Sequence, residues 1–237
     1  MKKVLSSSLL VIMLFCCSFL LFACGDDKST IDKSGDYHVV SEEELLEVTN
    51  LITSLNENTT NLKFYYNSSK TEAGVKTETN LNGIADYDYN LSFNVNIDVI
   101  GTTYSQSAYY SSTENICYEI DYNGNKNKIP LSPKYDMLAN KAMSTSNMFK
   151  LWNEKTYTKN DIQIAKSRGK IKIKVDFTDS AKGEKGEMYF EFLEDGTFVT
   201  FAYDSTINKD GIREYLDIDL NATDNIVEPP SDLGSYN

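Results

Sequence analysis

One histidine, His38, is all that the 237-residue chain contains. A Ser-His or Cys-His nucleophile system and a His-ligated zinc site both need more than that. Cysteine is almost as scarce, with four in total: Cys16, Cys17, Cys24 and Cys117. Arginine occurs twice, at Arg168 and Arg213, so bidentate recognition of phosphate is not a theme. No GxxxxGK[ST] or GxGxxG loop is present to cradle a nucleotide. Only four prolines interrupt the chain, against 16 tyrosines and 11 phenylalanines, a balance that favours strands over low-complexity linkers. Positive charge is also in deficit. The formal net charge of −12 excludes a general binder of nucleic-acid backbones.

The one long uncharged run lies at the start. Lys2 and Lys3 form a basic head, and Val4 to Ala23 carry no charge, with the densest apolar stretch from Leu9 to Phe22. This is the layout of a secretory signal peptide over residues 1–23, although twenty uncharged residues also suffice for a membrane-spanning anchor. Leu21-Phe22-Ala23-Cys24 resembles the lipobox of bacterial lipoproteins, whose cysteine is acylated and becomes the new N-terminus. That resemblance implies a palmitate-type lipid attachment at Cys24 and a membrane partner reached through acyl chains. Each buried acyl methylene contributes about 0.8 kcal/mol, so two or three chains hold a protein durably. Removal of Lys2 and Lys3 leaves 21 basic against 35 acidic residues, a net −14. Only Cys117 then remains, and the mature chain has no intramolecular disulfide. Cys117, between Ile116 and Tyr118, reads as a small buried apolar residue.

Residues 24–40 are polar and unpatterned and read as the lipidated N-terminus with a flexible tether, His38 lying outside the folded body. Ser41 and Glu44 have capping-box spacing. Leu45, Leu46, Val48, Leu51, Ile52 and Leu55 follow with helical period, which predicts a helix of about 15 residues. From Leu62 the period becomes two. Leu91, Phe93, Val95, Ile97 and Val99 alternate with polar residues, as do Ile171, Ile173, Val175 and Phe177 against Lys170, Lys172, Lys174 and Asp176. Asn123-Gly124 and Asp195-Gly196 mark hairpins. Pro133 to Trp152 reads as a second helical stretch, weakened over Ser144 to Asn147. The expected body is one domain over residues 41–222, with an unpatterned tail at 223–237. About eleven short strands in sequential hairpins make an antiparallel sheet too wide to stay flat.

This order of elements resembles the lipoprotein carriers of the LolA, LolB and LppX type. The resemblance covers nearly all of residues 41–222 and rests on the order of elements rather than on any motif. It implies a mainly β (α+β) fold: a strongly bent antiparallel half-barrel whose N-terminal and mid-chain helices cover the concave face. It further implies an extracytoplasmic protein that holds a lipid or other apolar ligand. Residues expected to line such a site are Phe93, Val95, Tyr118, Phe177, Phe190, Phe192, Met137 and Met143. The same residues equally suit a filled core, and the protein is then a surface-displayed module that docks another envelope protein. No catalytic residues, metal ligands or cofactor are expected. Asp121 to Asn125 has a faint calcium-loop look, but Lys126 and Ser132 stand where an EF-hand needs Gly and Glu. The abundance of Lys, Asn, Ile and Tyr points to an AT-rich, Gram-positive source, and so to the outer face of a cell membrane.

Overall fold

Residues 33–55, 61–130, 144–220 and 226–237 are described in the computed structural model. Period-two sequence becomes strand throughout: β1 (His38–Val39), β2 (Leu62–Glu72), β3 (Val75–Ala85), β4 (Leu91–Val99), β5 (Thr102–Ser111), β6 (Ile116–Ile120), β7 (Lys126–Pro130), β8 (Ile162–Ser167), β9 (Lys170–Asp179), β10 (Glu184–Leu193), β11 (Phe198–Ser205) and β12 (Ile212–Asp219). They form one sheet in the order β1-β8-β9-β10-β11-β12-β2-β3-β4-β5-β6-β7, antiparallel at every pairing and open between β1 and β7. The expected eleven strands are present, with the two-residue β1 added at one edge.

Two meanders, β2–β7 and β8–β12, are joined where β12 pairs with β2, Ile218 opposite Phe64. The connection from β7 to β8 therefore leads from one open edge of the sheet to the other. It carries helix α2 (Thr145–Glu154), which buries Met148 and Trp152 in the core of the concave face. Topology thus places the mid-chain helix across the half-barrel. α2 falls within the expected Pro133 to Trp152 stretch up to its last two residues, and the part of that stretch before Ser144 lies outside the described residues. Ser144 is its N-cap, accepting from the Asn147 N–H at 3.3 Å, so the serine-rich run that weakens the helical pattern is a start signal.

Helix α1 (Glu42–Ser54) lies over the other end of the concave face with Val48 and Ile52 fully buried, while Leu46 points to solvent. Its capping box is complete: the Glu44 N–H donates to Ser41 Oγ at 3.2 Å, and the Ser41 N–H donates to Glu44 Oε2 at 2.8 Å. His38 Nε2 lies 2.9 Å from Glu44 Oε1. These hydrogen bonds, the Ser41 N–H foremost, lower the Glu44 pKa from 4.5 to about 2. A lowered folded-state value means that the carboxylate's contribution is complete above pH 4.5 and fades as pH falls towards 2. An NMR titration of the Glu44 carboxyl carbon is expected to find a midpoint near 2, and Glu44→Gln to remove the acid-sensitive part of α1 helicity. A midpoint near 4.5 contradicts the cap.

The expected tether needs correction at its end. Residues 33–40 pack on the sheet: His38 and Val39 pair with Ile164 and Gln163 of β8, Val40 is buried, and Lys172 Nζ donates to the Ser34 carbonyl at 3.0 Å. A stretch this short has no periodicity to betray it, and a free sheet edge supplies the partners. At the other edge, the Lys128 N–H donates to the Asn237 carbonyl at 2.7 Å and the Asn237 N–H to the Lys126 carbonyl at 3.2 Å. Gly83 is a deliberate bare spot on the concave side. A Cβ there would meet the Ser92 carbonyl at 2.3 Å and the Phe93 Cβ at 2.7 Å.

Candidate functional site

The strand registers carry one apolar stripe across the concave face, through Ile173, Phe190, Phe201, Ile218, Phe64 and Phe93. Of the eight residues expected to line a ligand, Phe93, Val95, Phe177, Phe190 and Phe192 come together here, each at most 4% exposed. Rings meet rings: Phe190 lies 4.9 Å from Phe201, Trp152 of α2 lies 6.0 Å from Phe190, and Phe177 stacks on Tyr203 at 5.2 Å. Val48, Ile52 and Met148 of the two helices are fully buried against this layer. Protein side chains therefore occupy the space between sheet and helices among the described residues.

Tyr118 does not join them. Cys117, opposite Tyr110, faces the core, and Tyr118, opposite Tyr109, faces the convex side. Strand β6 has apolar residues on both parities, Ile116, Tyr118 and Ile120 on one and Cys117 on the other, so alternation alone does not tell which face is inside. Met137 and Met143 lie outside the described residues. Phe201, Trp152 and Met148 are core residues absent from the expected set. Phe201 was hidden by a bulge: Phe192 faces Phe198 while Glu191 faces Thr200, so both Phe198 and Phe201 turn inward despite opposite parity.

Polar groups enter the concave face at one end, where α2 hands over to β8. Lys155 Nζ lies 3.1 Å from Asp179 Oδ2 and 3.5 Å from Glu184 Oε1, with side-chain exposures of 3% for Lys155 and 1% for Glu184. It also sits 5.0 Å from the Phe177 ring and 5.3 Å from that of Tyr203. The Tyr203 hydroxyl donates to Glu184 Oε1, and burial together with that carboxylate pushes the phenol pKa up. Asp179 is held below the usual carboxylate range by the Lys182 N–H and by Lys155. Glu184 Oε2 is buried without a hydrogen-bond partner.

At the same strand ends lies a cavity of about 820 Å³, walled by the apolar Tyr157, Phe177 and Ile207 together with Thr158, Asp161, Glu187, Asp204 and Arg213. Asp176, Glu187 and Asp204 stand in register on adjacent strands. Lys174 neutralises Glu187 at 2.7 Å and Asp176 at 3.4 Å, and Arg213 neutralises Asp204 at 3.0 Å. The lysine row at 170, 172 and 174 is likewise spent within the protein, on Glu191, Ser34 and Glu187. Among the described residues no cluster of three or more His, Cys, Asp or Glu is arranged to hold a metal ion. Cys117 is fully buried and is not in a disulfide.

No family model matches the chain, and no curated protein sequence matches it. Among solved structures it is similar to LprF from Mycobacterium bovis, with a TM-score of 0.41 and 8% identity over 80% of this chain and 99% of that one. It is also similar to MucB, solved in complex with MucA(peri), with a TM-score of 0.14 and 8% identity over 73% and 92% of the respective chains.

Proposed function

We propose that this chain is an extracytoplasmic binding protein, anchored to the cell membrane by acyl chains on Cys24, which takes a lipid or other apolar ligand on the concave face of its half-barrel. The observation behind this reading is the cover. Among the described residues the apolar sheet face is covered by α1 and α2, and α2 contributes two buried apolar side chains, Met148 and Trp152. A ligand of acyl-chain width replaces those contacts by displacing α2 rather than by entering a standing cavity. The recurring chemistry is burial, not proton transfer, and the reading is of a binder and not an enzyme. With a net −14 after processing, adhesion to an anionic membrane falls to the acyl chains rather than to surface charge.

A second reading has its own support in the filled interior: a lipid-anchored module that displays a closed core and docks another envelope protein. Native mass spectrometry of the freshly purified mature chain separates the two. The carrier reading expects co-purifying lipid and uptake of a fluorescent fatty acid after delipidation. Absence of both removes it and leaves the module. The anchor is tested separately, since Cys24→Ala is expected to abolish incorporation of labelled palmitate and release the protein from membranes. Persistent labelling assigns the lipid to Cys16 or Cys17 instead.

A further inference from the structure

The convex face of β2–β5 carries two rows of outward side chains without a formal charge: Tyr65-Asn82-Asn94-Ser107 and Asn67-Asn80-Asn96-Ser105, each in direct cross-strand register. In a chain that is 24% charged, eight neighbouring outward positions free of charge are a distinct surface. Beside it the segment 226–237 runs over β5–β7, held by the buried Val227, by the Lys126–Asp232 ion pair and by the main chain of Asn237. Between this strap and the sheet lies a cavity of about 400 Å³, lined by Asn94, Ser107, Tyr109, Tyr118, Pro230 and Tyr236 among others. Its rings form a corner: Tyr109 lies 6.0 Å from Tyr118, and Tyr236 meets Tyr118 edge-on at 5.5 Å and 89°.

We infer that this cleft binds a neutral glycan. Tyr109 offers a ring face for the C–H face of a sugar, while Tyr236, with Lys126 Nζ 5.5 Å from its ring centroid, walls the cleft. Asn94 and Ser107 offer donors and acceptors for its hydroxyls, and both are accessible. Strands spaced about 4.8 Å apart repeat Asn82, Asn94 and Ser107 at nearly the length of one unit in an extended β-1,4-linked chain. Charge disfavours an anionic headgroup or phosphate, because Lys126 and Asp232 neutralise each other and the carboxylate of Glu228 also lines the cleft. Geometry disfavours a peptide. The β7 edge that an added strand would use is taken by Asn237, and the amide rows provide no apolar pockets for alternate side chains. The site is on the opposite face of the sheet from the apolar core and does not depend on the lipid reading.

The test is calorimetric titration of the mature chain with chitotetraose and, separately, cellotetraose. Saturable binding of one of them is expected, weakened about tenfold or more by Asn94→Ala and by Tyr109→Ala, the worth of one or two hydrogen bonds or a ring contact. Trp152 packs on Phe190 in the concave core, so its fluorescence reports folding independently and is expected to stay constant in both variants. Should Tyr109→Ala unfold, Asn94→Ala alters only an exposed side chain and decides alone. The inference is overturned if the wild-type chain binds neither saccharide, if folded variants bind with unchanged affinity, or if an extended peptide but no saccharide occupies the cleft.

Discussion

Phe190→Ala is expected to lower the unfolding free energy by about 3–5 kcal/mol, read as a reduced urea midpoint at unchanged slope. Phe190 is fully buried and touches Phe201 from the sheet and Trp152 from α2, so truncation removes one of the contacts that seat the helix. The neighbouring rings are held by β11 and α2 and are themselves buried, which puts the cost in the upper part of the core-truncation range. The vacated space is apolar and is expected to stay dry and take up xenon or benzene. A loss below about 1.5 kcal/mol means instead that the layer under α2 is loosely packed. The measurement thus also weighs a carrier whose helix lifts readily against a module whose core is fixed.

Lys155→Met is expected to cost a similar amount, about 3–5 kcal/mol, for an electrostatic reason. Lys155 and Glu184 are withdrawn from water almost completely, and Glu184 already has one oxygen without a partner. Deleting the ammonium strands a carboxylate beneath the Phe177–Tyr203 stack. Asp179, nearer the surface, retains the Lys182 N–H and suffers less. The double variant Lys155→Met/Glu184→Leu is expected to recover most of the loss, because replacing both members of a buried pair by apolar groups is often neutral. If the single and double variants are equally unstable, the cost lies in packing and not in the uncompensated charge.

Much of the architecture is legible in the chain because burial imposes a period. Leu91 to Val99 and Ile171 to Phe177 alternate cleanly since one face is wet, and the Ser41–Glu44 box marks its helix to the residue. Period carries no information where it is not the deciding physics. Alternation divides β6 into two faces without saying which is inside, and its convex face is apolar because the strap with Tyr236 covers it. The bulge beside Glu191 shifted the parity of β11. β1 exists only because β8 has an edge to offer. The candidate site was legible as a set of apolar residues, five of which do share one layer. Whether that layer is hollow depends on helix placement, to which a strand pattern is blind.

The junction of β12 with β2 sets the order in which this sheet can be built. Every other pairing within β2–β12 is between neighbours in sequence, closed by short turns whose entropy cost is small. Pairing Phe64 with Ile218 must wait until both meanders exist and most of the chain has been looped between them. Apart from the two-residue β1–β8 pairing, high contact order is concentrated in that seam, and its zippering is expected to be the slow step of folding. Until it closes, two half-sheets each carry a bare edge at β2 and at β12, and those edges are where a newly made chain is most exposed to aggregation before it is native.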